Sequence, residues 1–119
     1  GVCGACTITI DGVAQRACLT LAVAADGRDV RTVEGSTDNT GALSELQSAF
    51  RKHHALQCGF CTPGILMSCA DFLTRVPDPD ETQVREMLSG HLCRCTGYSN
   101  IVAAILDVAA GRKKDVADA

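Results

Sequence analysis

The spacing of cysteines constrains this chain more than any other feature. Eight of its 119 residues are Cys, at positions 3, 6, 18, 58, 61, 69, 93 and 95. Two tight pairs, Cys58-x2-Cys61 and Cys93-x-Cys95, point to a disulfide framework, a zinc site or an iron-sulfur cluster. Disulfide scaffolds belong to secreted, loop-rich chains, whereas this one has helical periodicity and no basic-then-apolar leader. Structural zinc takes four thiolates at tetrahedral angles, usually from repeated Cys-x2-Cys pairs. The closer Cys93-x-Cys95 is less typical of zinc, so spacing favours iron-sulfur and leaves a zinc-stabilised interaction module as the alternative.

The N-terminal cysteines sharpen the choice. Cys3-x2-Cys6 followed at a distance by Cys18 has the tail of the plant-type ferredoxin spacing, whose full form opens with Cys-x4-Cys. The thiolate that completes it is expected five positions before Cys3, upstream of Gly1. Thiolates donate strongly to ferric iron, and the small residues Gly1, Gly4 and Ala5 let backbone N–H groups approach sulfur. A Rieske centre is disfavoured, because His53 and His54 are adjacent on a predicted helix and lack a paired Cys. They read as surface residues.

Charge and hydropathy exclude two other classes. A formal charge of -3 and a pI near 5.5 provide no basic stripe to replace counterions on phosphate, which argues against nucleic acid. Arg112, Lys113 and Lys114 form the one basic cluster and are expected at a helix end after Gly111, where cations meet the dipole favourably. The longest apolar run, Ile101 to Leu106, is far short of the roughly 20 residues that a membrane span needs. With no leader visible, the reading is cytoplasmic.

Periodicity divides the chain into a β-rich and a helical part. Ile8 and Ile10 alternate with Thr7 and Thr9, Asp11-Gly12 is a turn signal, and the chain returns through Ala17, which together predict a hairpin. A short strand is expected at 29–33. The period then becomes helical, with Leu43, Leu46, Ala49 and Phe50 after the capping candidates Asp38, Asn39 and Thr40, out to about Ala55. A second helix is expected from Thr62-Pro63, with Thr62 as cap and Ile65, Leu66, Cys69, Phe72 and Leu73 inward. Asp80 and Gln83 suggest a capping box for a third helix through Leu88, closed by Gly90. The fourth carries Ile101, Ala104, Ile105 and Val108 and is expected to stop at Gly111. All the cysteines except Cys69 fall outside these helices. Cys69 reads as a small buried apolar residue, and Met67 and Met87 as core fillers.

Three segments, VCGACTI at 2–8, LQCGFCTPG at 56–64 and LSGHLCRCTGY at 88–98, resemble the signature segments of the small iron-sulfur subunit of the xanthine dehydrogenase and carbon monoxide dehydrogenase family of molybdenum hydroxylases. The resemblance covers nearly the whole chain in order. It implies an α+β fold, with an incomplete N-terminal ferredoxin-like β-grasp portion over 1–37 and a four-helix 2Fe-2S-binding domain over 38–119. It also implies two 2Fe-2S clusters, one held by Cys3, Cys6 and Cys18 with the upstream ligand, the other by Cys58, Cys61, Cys93 and Cys95. Gln57 matches a glutamine that hydrogen-bonds the pterin of the molybdenum cofactor, and Cys95 the cluster ligand nearest that pterin. Without the motif beside it, Gln57 would read as a polar helix end.

The implied function is electron transfer from a molybdopterin-binding large subunit, through the two clusters, to an FAD-binding medium subunit or another acceptor such as a haem protein. No residue stands out as an acid, base or nucleophile. The chain is therefore expected to be part of an oxidoreductase and inert alone.

Overall fold

The computed structural model describes residues 1–37 and 39–118. Its first element is a hairpin, β1 (Thr7–Ile10) and β2 (Val13–Arg16), in the register Thr7 with Arg16 through Ile10 with Val13. Asp11 and Gly12 both have positive φ, 52° and 82°, the conformation that a two-residue turn needs to match strand twist. A third strand, β3 (Val30–Arg31), lies antiparallel on the other side of β1, giving the order β2-β1-β3. It is shorter than the expected 29–33, because Val33–Ser36 turns into a 3-10 helix.

The buried face of β1 was not legible from alternation alone. Thr7 and Thr9 are buried with Ile10, while Ile8 is only half-buried. Thr7 can be buried because its hydroxyl donates to the Gly4 carbonyl at 2.7 Å, which offsets the desolvation of a polar group.

Four helices follow: α1 (Glu45–Lys52), α2 (Thr62–Arg75), α3 (Glu81–Leu88) and α4 (Ser99–Asp118). The first starts later than expected. Ser44, not Asn39 or Thr40, caps it in a box with Gln47, and Leu43 is left 46% exposed. Asp38, the remaining capping candidate, lies outside the described residues. The helix also ends at Lys52, short of Ala55, since His54 adopts a φ of 51°.

In α2, Pro63 occupies the first turn as expected, but Thr62 is already helical, the N-cap position falls on Cys61, and no side chain caps the end. Asp80 and Gln83 form the expected capping box of α3.

The fourth helix runs through Gly111 to Asp118, against the predicted stop. A helix-interior Gly costs about 1 kcal/mol relative to Ala, and tertiary ties hold the last turns. Arg112 pairs with Glu45 at 2.8 Å and Lys113 with Asp78 at 2.6 Å. Arg112 and Lys113 thus lie inside the helix and are engaged with neighbouring elements.

These helices close on a core whose largest fully buried side chains include Phe50, Ile65, Leu73, Val84, Ile101 and Ile105. Each contributes about 1.5–3 kcal/mol from burial. Helix α2 also packs on β1 and β2, so one element touches both the sheet and the bundle. Asp71 ties this junction: its carboxylate accepts from the Ala14 N–H at 3.0 Å and from Arg75 of its own helix at 2.9 and 3.2 Å.

Candidate metal centre

Seven of the eight cysteines lie outside the four helices, Cys3 and Cys6 before β1, Cys18 in the 3-10 turn after β2, Cys58 and Cys61 before α2, and Cys93 and Cys95 between α3 and α4, and all eight thiols are free. The exception is Cys69, fully buried inside α2, where burial alone pushes its thiol up. It behaves as a small apolar residue, as expected.

The first loop spans Cys3 to Cys6, with Cys18 brought alongside by the return of β2. Ala17 N–H donates to the Cys6 carbonyl at 3.3 Å. The Cys18 backbone and thiol both hydrogen-bond Cys6, and these contacts lower the Cys6 thiol from its ordinary value. The Gly1 backbone nitrogen lies 3.1 Å from Cys18 Sγ, and Cys3 is exposed.

The second and third loops meet each other. Cys61, buried at the start of α2, contacts Cys93 through their thiols. Burial and this contact push Cys61 up to about 11. Cys93 moves the other way: burial opposes its ionisation, but the Thr96 hydroxyl, the Thr96 and Cys95 N–H groups and the Cys61 thiol outweigh it and bring Cys93 to about 7. Cys93 is thus the more readily ionised of the two thiols, and thiolate is the form that binds metal. Cys58 accepts from the Phe60 N–H at 3.5 Å.

The Cys93 loop is locked by a residue that the cysteine pattern did not single out. The Tyr98 hydroxyl accepts from Cys93 N–H and donates to the His91 carbonyl, both at 2.8 Å, and Thr96 Oγ1 lies 3.0 Å from Cys93 Sγ. Tyr98 does this from a φ of 69°, strain that an over-determined loop can sustain. The only signal for it was its place at the end of CRCTGY.

Two glycines let the loops come together. A Cβ on Gly64 would lie 2.1 Å from the Gly4 carbonyl oxygen, and one on Gly4 would lie 2.5 Å from His91 Nδ1. Leu92 N–H donates to the Cys3 carbonyl at 2.9 Å, joining the first cysteine loop to the third. His91 is buried between them, with Nε2 2.8 Å from Ser68 Oγ. Burial, then the nearby Arg16 charge, hold its imidazole neutral down to about 4.

The donor chemistry fits 2Fe-2S clusters. Cys61 and Cys93 meet through their thiols, as do Cys6 and Cys18, and a two-iron cluster is held by four Cys thiolates. Backbone N–H groups already point at Cys58 and Cys93 sulfur, the contacts that tune such a cluster. His53 and His54 stand apart from all of this. His53 caps α1 with Nε2 2.8 Å from Asp107, a half-buried tie to α4 where a surface role was expected, and His54 is exposed.

Residues 32–106 match the 2Fe-2S binding domain family, well over half the chain. The chain belongs to this iron-sulfur family. Within it, the chain is 63% identical over 107 residues to the nicotine 6-hydroxylase small subunit of Paenarthrobacter nicotinovorans, covering 90% of this chain and 64% of that subunit. It is 47% identical over 109 residues to the xanthine dehydrogenase iron-sulfur-binding subunit of Escherichia coli O157:H7, covering 90% and 68%. These relatives place it with the small iron-sulfur subunits of the xanthine dehydrogenase type, as the three segments suggested. Quinoline 2-oxidoreductase from Pseudomonas putida 86 superposes with a TM-score of 0.89 at 52% identity, over 96% of this chain and 71% of that one. The α+β architecture of this iron-sulfur family member is thus shared with a solved oxidoreductase. The chain spans about two thirds of the length of the curated relatives it matches. Among the described residues no helix is long and apolar enough to cross a membrane.

Proposed function

We propose that this iron-sulfur chain carries electrons between a molybdopterin-bearing large subunit and a second acceptor, an FAD-binding subunit or an alternative. In this reading Cys58, Cys61, Cys93 and Cys95 hold one 2Fe-2S cluster. Cys3, Cys6 and Cys18 hold the other, with a fourth Cys from an upstream segment of a longer natural chain. Residues 1–37 form the ferredoxin-like portion and 38–119 the helical domain. Such clusters supply one-electron redox chemistry, and the protein sets their spacing, burial and hydrogen bonding. The chain offers no acid, base or nucleophile for substrate and is inert without its partners.

The observation that carries this reading is the 2.9 Å hydrogen bond from Leu92 N–H to the Cys3 carbonyl. Through it the two cysteine sets are joined by a path that is covalent except at one hydrogen bond. Electronic coupling decays less along bonds than through empty space, so this junction suits transfer between two centres. A merely structural zinc site has no use for it.

The other side of the Cys58 loop suits a partner. Gln57 is exposed in the connection after α1 and is not at a helix end, while Phe60 is 78% exposed and Leu56 41%. Exposed apolar groups beside a cofactor site mark an interface. We assign Gln57 to a hydrogen bond with the pterin and Cys95 to the ligand nearest it.

Anaerobic purification of the natural chain, with iron and acid-labile sulfide determination and a visible spectrum, tests the proposal. The expected product is red-brown, with equal iron and sulfide sufficient for two clusters. A colourless protein containing zinc would establish the interaction-module alternative instead.

A further inference from the structure

Arg16 is the side chain that reaches toward both cysteine loops at once. It ends β2, half-buried. One terminal nitrogen donates to the Thr7 hydroxyl at 2.7 Å and the other to the Gly90 carbonyl at 2.8 Å. Thr7 passes the first contact on, donating to the Gly4 carbonyl from its hydroxyl at 2.7 Å and its N–H at 3.2 Å. One branch of the fork therefore ends on the residue after Cys3, and the other on the residue two before Leu92. The Leu92-to-Cys3 hydrogen bond lies between the two gripped points. A guanidinium presents its donors in a fixed plane, so it can hold two acceptors at a set separation, which a single ammonium cannot.

We propose that Arg16 is a positioning residue for electron passage between the two iron-sulfur sites, its forked guanidinium holding the Cys3–Cys6 loop and the Cys93 loop at the separation that closes the Leu92-to-Cys3 hydrogen bond. This rests on the two-cluster reading above. It adds a residue that is neither ligand nor pterin contact. The two loops are far apart in sequence, and the other contacts between them, the Leu92-to-Cys3 hydrogen bond itself and the close approach of Gly4 to His91, have no fork.

The test uses the natural full-length chain in its holo-complex, with Arg16→Lys and Arg16→Met. Lysine keeps the charge and loses the fork, and methionine loses both. Hydrogen exchange at the Leu92 amide reads the bond itself. The magnetic interaction between the two reduced clusters reads their separation, and redox titration reads the charge. Exchange at Leu92 should accelerate about tenfold in both variants, the lower end for losing a hydrogen bond to a charged group. The magnetic splitting should shrink in both, while the cluster potentials move only in Arg16→Met. Wild-type exchange and splitting in both variants would overturn the proposal, as would a change confined to the potentials, which would make Arg16 a charge and not a clamp. If Arg16→Met fails to accumulate, Arg16→Lys decides alone. A wild-type complex showing a single cluster would overturn the two-cluster reading itself, an outcome distinct from unchanged variants in a two-cluster protein.

Discussion

Gly64→Ala is the substitution whose effect the geometry defines most sharply. A methyl there would sit 2.1 Å from the Gly4 oxygen, 3.0 Å from the Gly4 carbonyl carbon and 3.1 Å from Ala5 Cα. All three neighbours are backbone, so no side chain can rotate away, and an ordinary contact requires the first turn of α2 and the Cys3–Cys6 loop to part by more than about 1 Å. Overpacking of a buried site costs about 1–3 kcal/mol. With an unfolding entropy of about 2.1 cal/mol/K per residue, each kcal/mol moves the midpoint of a chain of 119 residues by about 4 °C. The expected loss is therefore about 4–12 °C. Gly111→Ala is the control: nothing lies within 4 Å of its Cβ position, it is mid-helix and exposed, and it should gain about 0.5–1 kcal/mol. Thermal unfolding followed by circular dichroism and by loss of visible absorbance compares the three proteins. A Gly64→Ala midpoint equal to wild type, beside a stabilised Gly111→Ala, would refute the close approach of α2 to the N-terminal cysteine loop.

Three further outcomes are expected. Cys93→Ser should remove the helical-domain cluster and leave the other, so that iron per chain falls by half in elemental analysis; complete loss of iron would show that the two sites assemble interdependently. Gln57→Ala should leave both clusters in place but weaken docking to the molybdenum subunit about 2-fold to 13-fold, the worth of about 0.5–1.5 kcal/mol for one neutral hydrogen bond, and unchanged affinity in a titration would return Gln57 to a solvated loop residue. Asp71 is buried, which raises its carboxyl, but Arg75 and the Ala14 N–H outweigh burial and hold it below the usual carboxylate range. Its stabilisation is thus present above the ordinary value near 3.9 and is lost as pH falls through the depressed one. Asp71→Asn should cost about 1–3 kcal/mol at neutral pH, and its gap from wild type should narrow on acidification; a gap that is constant between pH 7 and pH 2 would contradict the tie.

Local chemistry explains what was legible in the sequence. The Asp11-Gly12 turn, the Asp80 and Gln83 capping box and the inward stripe of α2 each depend on residues a few positions apart, and each is found where it was read. Competition between equally local signals misplaced the start of α1, where Ser44 with Gln47 beat the earlier Asn39 and Thr40. Tertiary contacts defeated the predicted stop at Gly111, since Glu45 and Asp78 hold Arg112 and Lys113 beyond it. The cysteine pairs were visible as motifs, whereas the mutual contact of Cys61 and Cys93, the Tyr98 lock and the Arg16 fork all require the loops to be folded together. Arg16 and Gly90 are 74 positions apart, and no periodicity links them. Thr7 and Thr9 are buried on one face of β1 and Ile10 on the other, and the carbonyl within reach of the Thr7 hydroxyl is something alternation cannot encode.

The central claim is that electrons pass through this chain by way of two cysteine-held clusters. Freeze-quench electron paramagnetic resonance of the natural complex, mixed anaerobically with its reducing substrate, tests it most directly. The account predicts two distinct 2Fe-2S signals that both develop within a turnover, one of which disappears in Cys93→Ser. A single signal, or two signals that stay silent while substrate is consumed at the full rate, would contradict it.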